Sequence, residues 1–100
     1  MKTATKKNKT SANKGKKRFT FLCKAEPGSE VYLAGNFNGW NPTKRKMIDK
    51  ENNGNFITTM MLPPGEYEYK FVINGHWSID RECEDWVPNS MGSLNSLIRV

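Results

Sequence analysis

From residue 18 onward, large apolar side chains recur at every second position, and turn-forming residues break the pattern every eight to twelve positions. A period of two is that of β-strands, and the chain is predicted to be all-β. Over residues 18–24, Phe19, Phe21 and Cys23 alternate with Thr20, Leu22 and Lys24. Pro27-Gly28-Ser29 turns the chain into a strand over 30–34 led by Val31 and Leu33, and residues 35–42 form a loop. Residues 43–48 are predicted as a short edge strand, where Lys44, Arg45 and Lys46 in succession discourage further pairing. Asn52-Asn53-Gly54-Asn55 is a hairpin signal before a strand over 56–62. Pro63-Pro64-Gly65 then turns into residues 66–73, where Tyr67, Tyr69 and Phe71 face the core and Glu66, Glu68, Lys70 and Val72 face away. Asn74-Gly75 is a second hairpin signal, of type I′, and sets Trp77 early in the next short strand. An irregular stretch over 81–92 precedes a last strand over 93–100, with Leu94, Ser96, Ile98 and Val100 on one face. About seven short strands in this length suit a β-sandwich of two sheets.

A chain of 100 residues makes one small domain with a single core. Its formal charge of +6 is unevenly placed: residues 1–18 carry seven lysines and Arg18 with no acid, whereas the remainder is slightly acidic. The basic stretch has no large apolar residue between Met1 and Phe19, so it cannot offset its ordering entropy by burial. We expect a disordered tail over residues 1–17 and a folded domain over 18–100. Such a tail meets nucleic acid only weakly, through non-specific phosphate contacts that salt screens. Neither a signal-peptide apolar region nor a run of about 18 apolar residues occurs, which points to the cytoplasm and away from a membrane span.

Trp40 and Trp77 change the picture most. Both stand among turn formers, in Gly39-Trp40-Asn41-Pro42 and Asn74-Gly75-His76-Trp77, where an indole offers a flat apolar face to solvent. Sugar rings stack on such faces. Catalysis finds no support: the carboxylates Asp80, Glu82, Glu84 and Asp85 sit in one run rather than across a cleft, and His76 is the only histidine. No metal cluster or cofactor motif is present, and Cys23 and Cys83 are too few to frame a disulfide fold, Cys23 falling on the apolar face of its strand.

Three stretches, 31–40 (VYLAGNFNGW), 62–77 (LPPGEYEYKFVINGHW) and 91–100 (MGSLNSLIRV), resemble the glycogen-binding module of the AMP-activated protein kinase β subunit, carbohydrate-binding module family 48. That module also precedes the catalytic domains of isoamylases and glycogen-branching enzymes. The resemblance implies an early-set, immunoglobulin-like β-sandwich that binds α-1,4-linked glucan without catalysis. It implies that Trp40 and Trp77 stack on neighbouring glucose rings and that Lys70 hydrogen-bonds sugar hydroxyls. Met91 then supplies an apolar wedge, Ser93 a hydroxyl and Asn95 an amide. A glycogen-metabolising enzyme or kinase is the implied protein partner; the alternative is a partner-protein or nucleic-acid module driven by the lysine-rich tail. The chain departs from the family after the second tryptophan, with Ile79-Asp80-Arg81 where relatives commonly read Asp-Pro. Trp86 in that region is open to two readings, a third stacking platform or a cap on the core.

Overall fold

The computed structural model describes residues 15–100, and every regular element among them is a strand. Most of the expected tail, residues 1–14, lies outside the described residues. Lys17 already opens the first strand, where it pairs with Leu62.

Strand β1 (Lys17–Lys24) and strand β4 (Asn55–Leu62) pair antiparallel along their whole length as a two-stranded sheet. The larger sheet begins at an edge with β3 (Arg45–Lys46), followed by β2 (Val31–Gly35) and the central β5 (Glu66–Ile73). Beyond the first half of β5 come β8 (Leu94–Arg99) and β7 (Asp85–Pro88); β6 (His76–Ser78) lies beside its second half. The architecture is the early-set β-sandwich implied by the resemblance.

Strand β7 lies where no regular element was expected. Its pattern is hard to read because it is a four-residue edge strand whose last member is Pro88, which has no N–H for a ladder. It is fixed by register to β8, with Trp86 opposite Ser96 and Val87 opposite Asn95.

The core lies where the alternation put it. Phe21, Cys23, Phe56 and Leu62 from the small sheet meet Val31, Leu33, Tyr69 and Phe71 from the large one, each no more than 4% exposed. The rings of Phe21 and Tyr69 meet edge to face with centroids 5.0 Å apart, and this contact joins the two sheets. Arg45 and Lys46 pair with β2, Met47 donates its N–H to the Val31 carbonyl at 2.8 Å, and Ile48 then bridges to Ile57 of β4. This short run crosses from one sheet to the other, with Met47 buried at the crossing.

One residue on the outer face of β5 departs from expectation. Val72 shares that face with Lys70, yet it is only 4% exposed. Its partner across β6 is Trp77, and cross-strand partners have Cβ atoms only about 5 Å apart. Its partner on the other side, in β2, is Tyr32, so the valine lies between two aromatic residues.

Candidate saccharide-binding site

The loop carrying Trp40 is fastened at both ends. Asn36 exchanges two bonds with β5, its N–H donating to the Glu68 carbonyl (3.1 Å) and its Oδ1 accepting from the Glu68 N–H (3.3 Å). The Gly35 carbonyl accepts from the N–H groups of Asn38 (3.1 Å) and Trp40 (2.9 Å). Asn38 closes the turn, since its Oδ1 accepts from the Gly35 N–H and its Nδ2 donates to the Leu33 carbonyl, both at 3.1 Å. Gly35 is required by space, because a Cβ there would lie 2.6 Å from the Glu68 carbonyl oxygen and from the Phe37 ring. Trp40 itself has φ of 59°, a left-handed conformation that costs a bulky residue energy and is held by these bonds.

Trp77 is placed by the Asn74-Gly75 turn, whose φ values of 50° and 84° fit type I′. The turn is tied to the start of β2: the Asn74 N–H donates to the Glu30 carbonyl at 2.8 Å, and Asn74 Oδ1 accepts from the Glu30 N–H at 2.9 Å. Trp77 remains 48% exposed, with about half of its surface against the sheet.

Between the two indoles lie side chains of β5 and of the loop entering β8. Lys70 donates through Nζ to Ser93 Oγ at 3.0 Å. Asn95 is only 6% exposed, and its amide is engaged at both ends: Nδ2 donates to Glu68 Oε1, and Oδ1 accepts from Asn89 Nδ2, both at 3.0 Å. The Asn89 Oδ1 accepts from the N–H groups of Met91 (2.9 Å) and Ser93 (3.0 Å), which shapes the loop that holds Met91 out at 86% exposure. Trp40, Trp77, Lys70, Met91, Ser93 and Asn95 thus border one open depression, together with Glu68 and Asn89.

Glu68 and Asn89 were not singled out from sequence. For Glu68 a signal existed, since strand alternation puts it on the face of Lys70. Asn89 precedes the matched segment by two residues and gave none.

Trp86 lies elsewhere. It sits opposite Ser96, which is in turn opposite Tyr69, so it faces the side of the large sheet turned toward the core, away from the depression. Its Nε1 donates to the Asp80 carbonyl at 3.3 Å. Of its two sequence readings, the cap fits this position. Asp80 also accepts the Tyr69 hydroxyl at 2.6 Å through Oδ2, and its N–H donates to the buried Ser96 Oγ at 3.0 Å. Burial, reinforced by the Asp80 bond, pushes the Tyr69 phenol far above its ordinary range. Burial likewise raises the Cys23 thiol, to about 11. Among the described residues no group of three or more His, Cys, Asp or Glu is placed to hold a metal ion, and no helix is long and apolar enough to cross a membrane.

Residues 17–100 match the family described as the glycogen recognition site of AMP-activated protein kinase. The chain is similar to the β-1 subunit of 5'-AMP-activated protein kinase of Sus scrofa, 38% identical over 73 residues, which cover 73% of this chain and 56% of that relative. It is also similar to the human β-2 subunit, 39% identical over 83 residues, covering 83% of this chain and 29% of the subunit. The Rattus norvegicus β-1 subunit is 40% identical over 73 residues, covering 73% of this chain and 25% of the subunit. The chain therefore spans between a quarter and just over half of these relatives. By the match over nearly all of its described length, it belongs to the family of glycogen recognition domains of AMP-activated protein kinase.

Proposed function

We propose that the chain is a non-catalytic module that binds α-1,4-linked glucan, of the glycogen or starch type, in the depression between Trp40 and Trp77. The single observation that carries this reading is that two partly exposed indoles border one depression together with the polar side chains of Glu68, Lys70, Ser93 and Asn95. Glucose has apolar C–H faces that stack on indole and hydroxyls that need donors and acceptors at the rim. Trp40 and Trp77 stack on rings, Lys70 and Ser93 meet hydroxyls, Met91 wedges against the sugar, and Asn95 acts from the floor. Stacking supplies most of the affinity, because water competes for the rim contacts. Oligosaccharide binding is then roughly −4 to −8 kcal/mol, millimolar to micromolar. A polymer that repeats the ligand along its length raises the effective affinity. Membership of the kinase β-subunit family supports a targeting or regulatory role beside a glycogen-metabolising enzyme or kinase.

The test is a chemical-shift titration of the whole chain with β-cyclodextrin and, separately, with a short DNA duplex. Saturable shifts at Trp40, Trp77 and Lys70 with the sugar support the reading. Shifts with DNA alone, or sugar shifts elsewhere on the molecule, reject it.

A further inference from the structure

We propose that Glu68 contacts the ligand directly, as the acceptor for a pair of sugar hydroxyls; the proposal rests on the glucan reading above. The carboxylate borders the same depression as the two indoles, on the face of β5 that bears Lys70. Only one of its oxygens is used by the protein: Oε1 accepts from Asn95 Nδ2, while among the described residues Oε2 accepts no protein hydrogen bond. The nearest cation in sequence on that face does not neutralise it, because Lys70 donates to Ser93 and forms no ion pair with Glu68. A glucose ring seated between the indoles takes water from this carboxylate, and a charged group losing water without a partner is heavily destabilising. A saccharide offers the missing partners, since adjacent hydroxyls donate to a carboxylate as two charge-assisted bonds.

The surrounding amides position this acceptor. Asn95 is nearly buried, and its Oδ1 is held by Asn89, so its Nδ2 has a fixed direction and clamps Oε1 in turn. Glu68 therefore meets the ligand with its carboxylate plane already set, which reduces the entropy lost on binding. On this account Asn95 is a positioning residue and Glu68 the contacting one.

The experiment is an NMR titration of the whole chain and of its Glu68→Gln and Glu68→Ala variants. The ligands are maltotriose and its singly deoxygenated analogues. Glu68→Gln keeps an oxygen for Asn95, so the clamp survives while the charge is lost. Both variants are expected to bind maltotriose about tenfold more weakly, the range of a lost hydrogen bond to a charged group. Unmodified protein should also lose about tenfold on at least one deoxy analogue, and Glu68→Ala should not discriminate against that analogue. Unchanged affinity in both variants overturns the proposal. So does an equal loss for every sugar, which is the signature of a structural role. Failure of the unmodified protein to bind maltotriose refutes the glucan reading itself, and with it this proposal.

Discussion

Trp77→Ala should separate two duties of one side chain. With 48% of the residue exposed, about half is packed against the sheet beside Val72. A fully buried tryptophan covers about 150–250 Å², so about 100 Å² is at stake, equivalent to roughly 2.5 kcal/mol at about 25 cal/mol per Å². Allowing for partial burial in the unfolded chain lowers this to about 2 kcal/mol. In a domain of this size that is a fall in thermal midpoint of roughly 8–16 °C. On the proposed reading the exposed half is the stacking surface, and its loss should weaken binding by about 1–3 kcal/mol, or roughly 5–150-fold. Calorimetry measures the first effect. Titration with maltoheptaose, well below the variant's transition, measures the second. Trp77→Leu keeps an apolar neighbour for Val72 without the flat plate, so it should recover most of the midpoint but little of the affinity. An unmoved midpoint in Trp77→Ala would show that the indole does not support the sheet. Undiminished affinity in the folded variant would remove Trp77 from the site.

Gly35→Ala should destabilise the domain by about 1–3 kcal/mol and weaken glucan binding, because the new Cβ strikes the Glu68 carbonyl and displaces the Trp40 loop; calorimetry and titration read the two effects. Alkaline pH should also destabilise it. The Cys23 thiol rises from 9.0 to about 11 on folding, so its contribution is complete below pH 9.0 and is lost as pH climbs toward 11. Tyr69, raised in the same direction from 10.0, adds its own loss above that value. Denaturant midpoints recorded across pH 8 to 11 should therefore fall, and the part between 9 and 10 should be absent in Cys23→Ala. Trp86→Ala should lower the thermal midpoint while leaving maltoheptaose affinity within about twofold of the unmodified protein, since the side chain lies on the opposite face of the sheet.

Alternation was a reliable guide wherever a strand carried several large side chains. Phe19, Phe21 and Cys23, or Tyr69 and Phe71, assign a face without ambiguity, and the Asn74-Gly75 pair states its own turn type. It failed at β7, where two apolar residues between an aspartate and a proline leave no period to detect. It also misjudged Val72. Its alternation was read correctly, but its burial comes with its cross-strand neighbours Tyr32 and Trp77, which reach it only through the pairing of β5 with β2 and β6. The candidate site was legible where single residues are conspicuous, as indoles in turns are. Its connecting groups were not: Glu68 reads as an ordinary surface acid until β8 brings Asn95 within 3.0 Å of it. Long-range pairing carries that information, and one sequence contains it only implicitly.

Three of the asparagines that hold the loops of the site use both ends of the side-chain amide. Asn38 accepts from the Gly35 N–H and donates to the Leu33 carbonyl; Asn74 accepts from the Glu30 N–H and donates to Ser29 Oγ at 3.4 Å. Asn89 accepts from Met91 and Ser93 and donates to Asn95. An amide suits this task because it is a donor and an acceptor within one short side chain. Aspartate has nearly the same shape but no donor. In Asn89→Asp a carboxylate oxygen faces the Asn95 Oδ1, so acceptor meets acceptor, while the bonds to Met91 and Ser93 persist. The loop should keep its local turn but lose its anchorage to β8, at a cost of about 1–3 kcal/mol for the unsatisfied buried group. Amide hydrogen exchange at Asn95 and Ser96 reads this loosening, and maltoheptaose affinity should fall with it. Native-like exchange at those two positions would mean that the loop is held by its backbone bonds alone, and that Asn95 needs no anchor on that side.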